Sequence, residues 1–269
     1  SLTKLYDIFD VWFESGTSWH TVMQQRDLGF PSDLYLEGGD QHRGWFQLSM
    51  LPSLAVTGQA PFKAVITHGF MVAKDGKKMS KSGGNALGVD ELLKEYGADV
   101  CRWWVGSLAY ENDVKVDMSF FDIAGDSYRK VRNTLRFLLG NVGGKPDSPP
   151  SPKSIDGWVL GELTKLSNTV MNSLQEYDFR VAHQALYDFC NDTLSSVYLA
   201  AVKDRLYCDG EDSKRRRQTA STMQVVSDTL IRLLAPCIPH TADEAWRALH
   251  GDNAGSIHLQ EFNTQEFAV

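Results

Sequence analysis

Two short apolar runs, each followed by glycine, bracket one segment of helical period, and this order limits the possible folds more than any other feature. Leu34, Tyr35 and Leu36 lead into Gly38 and Gly39. Between His42 and Thr57, apolar side chains at Trp45, Phe46, Leu48, Leu51 and Leu54 recur at helical spacing, until Gly58 and Pro61 stop the pattern. Ala64, Val65, Ile66 and Thr67 form a second run, with Gly69 after it. Strand, helix, strand predicts a parallel pair, because parallel strands need a crossover rather than a tight turn. Ligands of such sheets sit beyond the carboxyl ends of the strands. Those ends are predicted at residues 37–41 and 68–70.

Downstream the periodicity changes. A glycine-rich basic loop spans residues 74–85, and two helical patterns cover 90–96 and 98–108 with Gly97 between them as a C′ residue. Residues 119–141 carry one apolar face, formed by Tyr128, Val131, Leu135, Leu138 and Leu139. Pro146, Pro149, Pro150 and Pro152 exclude a regular element from 143–154. Beyond them, three long amphipathic patterns predict a helical bundle, the third lying within 220–234 and closed by Pro236 and Pro239. The expected fold is therefore α/β, half of a Rossmann-like parallel sheet, followed by an all-α bundle. The expected boundaries are 1–118, 119–154 and 155–269.

The net charge of −7 means that nucleic acid could bind only through local basic patches. Two clusters qualify. Arg129, Lys130, Arg132 and Arg136 lie on one helical segment, and Lys214, Arg215, Arg216 and Arg217 form a run. Each, read alone, is equally well a solvated face. Cys101, Cys190, Cys208 and Cys237 are too scattered for a CxxC site, so no zinc ligands or disulfide framework are expected. Dispersed cysteines and the lack of a long apolar run make a cytoplasmic, membrane-free protein the default.

The chemistry lies in four motifs. Lys78-Met79-Ser80-Lys81-Ser82 places two lysines three apart among hydroxyl groups and glycines, a pattern able to wrap a triphosphate. Glu37-Gly38-Gly39-Asp40-Gln41-His42-Arg43-Gly44-Trp45-Phe46 puts acid and amide groups at a strand tip, where they can receive a ribose or an amino group. Read alone, it is an ordinary turn with Asp40 capping the next helix. Asp10 to Gly16 holds the aromatic pair Trp12-Phe13, and Thr67-His68-Gly69-Phe70 sits at the second strand's end. Taken singly, an aromatic pair is usually core and a lone histidine structural.

Taken in order, the four motifs resemble the class I aminoacyl-tRNA synthetases, and within them the isoleucyl-tRNA synthetases, which the D-Q-H-R-G-W-F run separates from valyl and leucyl relatives. Gly97-Ala98-Asp99 with Arg102-Trp103, residues 126–133, 203–207 and 239–246 also resemble that family, so the likeness covers nearly the whole chain.

The resemblance implies specific roles. Glu37 would contact the aminoacyl part of the adenylate, Gly39, Asp40 and Gln41 the ribose side, and His68 and Gly69 the adenine. Lys81 would bind the ATP phosphates, with Lys78 assisting. Trp12 and Trp45 would flank the isoleucine side chain. In such a pocket one methylene is worth only about 1–3 kcal/mol, which is why editing is needed. The implied partners are tRNA(Ile), isoleucine, and ATP with Mg2+. Arg129, Arg132, Arg136, Lys214, Arg215, Arg216 and Arg217 would serve the tRNA, and the parent enzyme would be a monomer. The class's other motif, H-I-G-H, does not occur in these 269 residues, and neither the editing domain nor a cysteine-rich zinc module is recognisable. The expectation is a piece that does not charge tRNA by itself. The alternatives are a non-catalytic tRNA-binding paralogue and a valine–tRNA ligase fragment.

Overall fold

The computed structural model describes residues 3–73, 76, 79, 88–143 and 149–262. By packing the chain forms two compact units, one of Ser1–Asn85 with Ala109–Val116, the other of Ala86–Leu108 with Asp117–Val269. The helices predicted over 90–108 therefore pack with the bundle rather than with the strands that precede them.

The first unit is built on the expected strand–helix–strand. Strand β1 (Ser32–Gly38) pairs in parallel with β2 (Phe62–His68), in a register running from Ser32↔Phe62 to Gly38↔His68. Helix α1 (Val11–Gly16) opens the chain. Its N-cap is Asp10, whose carboxylate accepts from the Trp12 N–H at 2.8 Å. Helix α2 (Trp45–Thr57) joins the strands and ends at Gly58, which supplies a left-handed φ of 76°. Pro52 inside α2 has no N–H, so the Leu48 carbonyl loses its usual intrahelical donor. α1 packs against that carbonyl: a Cβ on Gly16 would stand 2.5 Å from Leu48 O, so only glycine permits the approach. A second parallel pair, β3 (Met71–Ala73) with β4 (Val114–Val116), is too short to show in the sequence pattern.

The second unit is helical. Helices α3 (Val89–Tyr96) and α4 (Ala98–Gly106) meet at Gly97, whose φ is 82°. Next come α5 (Met118–Leu139) and α6 (Ile155–Gln175). A continuous helix then runs from α7 (Phe179–Asp188) through a π-helical stretch, Phe189–Tyr198, into α8 (Leu199–Tyr207). Helices α9 (Lys214–Leu234) and α10 (Pro239–His250) complete the bundle. Its core is apolar and fully closed: Val131, Leu138, Leu163, Leu186, Leu194 and Leu230 have essentially no exposure. Each such side chain contributes about 1.5–3 kcal/mol. Pro239, expected only as a stop, opens α10 at its first turn, where its missing N–H costs nothing.

Two buried carboxylates tie these helices together. Asp156 on α6 accepts from Tyr198 Oη at 2.8 Å, Thr219 Oγ1 at 3.1 Å and Arg205 Nη1 at 2.8 Å. Asp99 on α4 accepts from the Thr241 N–H and Oγ1, both at 2.6 Å, and from the His240 N–H at 3.3 Å. It thus satisfies the N-terminal amides of α10 from another helix.

Asp156→Ala would leave Arg205 facing a half-buried site with no counter-charge. Urea titration should show a loss of about 3 kcal/mol, with Asp156→Asn losing less.

His183 gives a pH-dependent prediction. It lies 3.9 Å from the Trp103 ring, centroid to centroid, and burial pushes its imidazole down to about 4. Above pH 6.5, the ordinary value, the ring is neutral whether folded or not. Between 6.5 and 4 only the unfolded chain takes up the proton, so stability falls as pH falls. Replacing His183 by leucine should shrink the drop in melting temperature between pH 7 and pH 4; an unchanged drop would exclude the buried ring as a cause.

Candidate functional site

The β1–β2 register decides which motif residues meet. Glu37 lies opposite Thr67 and Gly38 opposite His68, so the acidic turn and the histidine motif share one end of the parallel pair. Glu37 is exposed, and its Oε2 accepts from the Gly38 N–H at 3.3 Å. After Gly38 the chain makes a 3-10 turn, Gly39–Arg43. In it the His42 ring donates from Nδ1 to Gly39 O at 2.8 Å, and Asp40 remains exposed.

Glycine spacing makes this turn tight. A Cβ on Gly38 would meet Asp40 Oδ1 at 2.6 Å and the Phe70 ring at 3.4 Å. The carboxylate of Asp40 is therefore folded back over the strand tip. A Cβ on Gly69 would come within 2.2 Å of the Asn112 carbonyl, because residues 109–113 run directly across the second tip. The Gly69 N–H donates to Tyr110 O at 2.8 Å, and the Phe70 N–H to Asp113 Oδ1 at 2.8 Å. The role of residues 109–113 in walling this end was not legible, since it comes from a distant segment without periodicity. His68 is half-buried, with Nδ1 donating to Gly69 O at 2.8 Å. That bond leaves Nε2 as the imidazole's acceptor when the ring is neutral.

Gln41 and Asp40 differ from the simple capping reading. The helix cap comes from Gln41, whose Oε1 accepts from the Trp45 N–H at 2.9 Å, while its Nε2 donates to Asp40 Oδ2 at 3.4 Å. Asp40 is thereby freed from the helix. Trp45 stacks on Tyr35 with centroids 4.2 Å apart and an interplanar angle of 8°, and its Nε1 donates to Ser15 O at 3.0 Å. One face of the indole is thus taken by Tyr35, and its edge is fixed by the end of α1. Trp12 sits on the packed α1 helix with 43% exposure. Chemically this end offers two exposed carboxylates, an imidazole and aromatic surface, a set that can receive ammonium, hydroxyl and apolar groups. Lys78 and Lys81 lie outside the described residues; of the five-residue motif only Met79 is described.

The basic residues of the second unit sort into two kinds. Arg129 pairs with Asp126. Arg215 grips Asp209 through Nε and Nη2, which holds that carboxyl down at about 2. Arg216 donates to Asp209 O at 2.8 Å, and Arg217 to Asp212 O at 2.7 Å. Three residues of the 214–217 run therefore brace the turn before α9. Lys214, Arg132 and Arg136 are exposed, with no ion pair among the described residues.

Comparisons with known proteins agree on the two regions. Residues 1–117 match the family of class I tRNA synthetases (I, L, M and V), and residues 156–268 match the anticodon-binding domain of tRNA ligase. The isoleucine–tRNA ligase of Syntrophotalea carbinolica is 42% identical over 97% of this chain and 29% of its own length. That of Desulfotalea psychrophila is 45% identical over 92% and 27%. The chain thus spans under a third of the relatives it matches. Among solved structures, the ternary complex of Agrobacterium radiobacter K84 agnB2 LeuRS with tRNA and LeuAMS superposes with a TM-score of 0.76, at 17% identity, over 97% of this chain and 33% of that one. At that identity the match bears on fold.

Gly69→Ala should displace residues 109–113, because two backbones cannot share that space with a methyl group. Faster amide exchange at residue 69, Phe70 and Val114 is the expected readout; unchanged protection would contradict the crossing.

Proposed function

The chain belongs to the class I aminoacyl-tRNA synthetases, and from that premise we propose that it forms part of an isoleucine–tRNA ligase. Residues 1–118 are read as the C-terminal half of the catalytic domain, 119–154 as a connector and 155–269 as the anticodon-binding domain. The reaction has two steps. A carboxylate oxygen of isoleucine attacks the α-phosphorus of ATP and pyrophosphate leaves. A hydroxyl of the terminal tRNA ribose then attacks the adenylate carbonyl and AMP leaves.

One observation carries this reading: the parallel register that brings Glu37 and the 39–43 turn beside Thr67 and His68. An exposed carboxylate at Glu37 suits the substrate's ammonium group. Asp40, released from capping duty by Gln41, suits a ribose hydroxyl. His68 and Gly69 line the adenine side. Trp12 and Trp45 supply apolar surface for the aliphatic side chain, Trp45 held rigid by its Tyr35 stack. Lys81, assisted by Lys78, neutralises charge developing on the phosphates, and Mg2+ enters with ATP as part of the substrate. No side-chain nucleophile is required, since the work is positioning and charge stabilisation. Arg129, Arg132, Arg136 and the 214–217 run are proposed to face tRNA(Ile). No described helix is long and apolar enough to cross a membrane, and the proposed setting is a monomeric enzyme of the cytoplasm.

The test is isoleucine-dependent ATP–pyrophosphate exchange by the full-length protein that carries this chain. Lys81→Ala should lower kcat by about 100-fold or more with little change in KM for isoleucine. Glu37→Gln should lower kcat/KM for isoleucine instead. Equal or better exchange with valine would replace the proposed substrate. Wild-type rates in both variants would remove the site.

A further inference from the structure

The side-chain pocket proposed above has its two aromatic walls on two helices, Trp12 on α1 and Trp45 on α2. The width of such a slot depends on how α1 is held against α2. We infer that Tyr35, through its buried hydroxyl pair with Ser49, sets that width and is a specificity-determining positioning residue for isoleucine against valine. The inference rests on the pocket reading and adds to it what fixes the pocket's dimensions.

Two contacts join the helices directly. Trp45 Nε1 donates to Ser15 O at 3.0 Å, near the end of α1. Gly16 lies against the Leu48 carbonyl, where a Cβ would stand 2.5 Å from the oxygen. Tyr35 on β1 is the base on which this junction rests. Its ring stacks on Trp45 at 4.2 Å and is tilted against Phe62 at 4.7 Å. Its Oη pairs with Ser49 Oγ at 2.9 Å, one turn along α2 from Trp45, and the two residues are buried at 4% and 0% exposure. Burial raises the phenol's pKa above its ordinary value, with the hydroxyls of Ser49 and Ser18 acting against the rise. The oxygen therefore keeps its proton at neutral pH and stays available to both hydroxyls.

The hydroxyl pair does what the stack alone cannot. Offset stacking tolerates one ring sliding over the other. A buried hydroxyl that leaves its partner costs the desolvation of both oxygens. The pair thus locks Tyr35 along α2, and with it the plane of Trp45. Glu37 follows two residues later on β1, so its side chain leaves the same face as Tyr35. One strand then anchors both the carboxylate proposed for the substrate's ammonium and the wall proposed for its side chain. Isoleucine and valine differ by one methylene, and a gap wider by about 0.5–1 Å forfeits a quarter to a half of each contact that tells them apart.

The experiment measures ATP–pyrophosphate exchange with isoleucine and with valine in the full-length protein that carries this chain, without tRNA, so that only activation is read. Tyr35→Phe keeps the ring and removes one buried oxygen; the Ser49 hydroxyl can then turn to the Trp45 carbonyl within its own helix. This variant should raise KM for isoleucine roughly fivefold and lower the isoleucine-to-valine ratio of kcat/KM about tenfold, with kcat and the KM for ATP within about twofold. Ser49→Ala should do the same, and the double variant should be no worse than either single change, since both remove one interaction. Gly16→Ala, which forces α1 away from the Leu48 carbonyl, should also lower the ratio. Trp45→Ala, measured in parallel, tests the pocket itself. If it raises KM for isoleucine while Tyr35→Phe and Ser49→Ala lose only melting temperature and keep the ratio, the pair is structural and the inference alone is overturned. If Trp45→Ala leaves KM for isoleucine unchanged, the inference falls together with the pocket reading.

Discussion

Parallel pairing of two short strands is the constraint from which the first unit follows. Parallel neighbours cannot be joined by a hairpin, so a crossover must carry the chain back, and α2 is that crossover. The same pairing aligns both carboxyl ends. Polar groups that are thirty residues apart in sequence therefore face one another, Glu37 against Thr67 and Gly38 against His68. A shift of register by one residue would turn every side chain of the slipped strand to the other face and separate them.

Close backbone approach sharpens that arrangement. Gly16, Gly38 and Gly69 have ordinary backbone angles, yet each sits where a methyl group would overlap a neighbouring oxygen. Their role is space rather than left-handed conformation. Gln41 adds a division of labour: by capping α2 it leaves the adjacent carboxylate of Asp40 available at the tip.

The helical unit solves a different problem. Its apolar core supplies most of the driving force, but an apolar core alone does not select among helix registers. Asp156 fixes one register by gathering hydroxyl and guanidinium donors from Tyr198, Arg205 and Thr219. Asp99 does the same where α4 meets the start of α10. Because α3 and α4 pack within this unit, residues 74–87, which carry the lysine motif, connect a strand of one unit to a helix of the other.

The sequence by itself determined the strand–helix–strand order, the long helices and the motif set, because hydrophobic period, glycine and proline act locally and can be counted along the chain. Local rules also misplaced one element: Pro239 reads as a stop, yet it begins α10. Only the tertiary structure decided which charges are free. Arg129 and Arg132 look alike in sequence, but Asp126 takes one and nothing described takes the other. Arg215 to Arg217 read equally as a tRNA-facing patch or a solvated face, and in the structure they brace a turn. The same holds for residues 109–113 over Gly69, and for Asp99 capping a helix 140 residues away. These outcomes depend on through-space partners at distances of about 3 Å, and no periodicity along a chain encodes them.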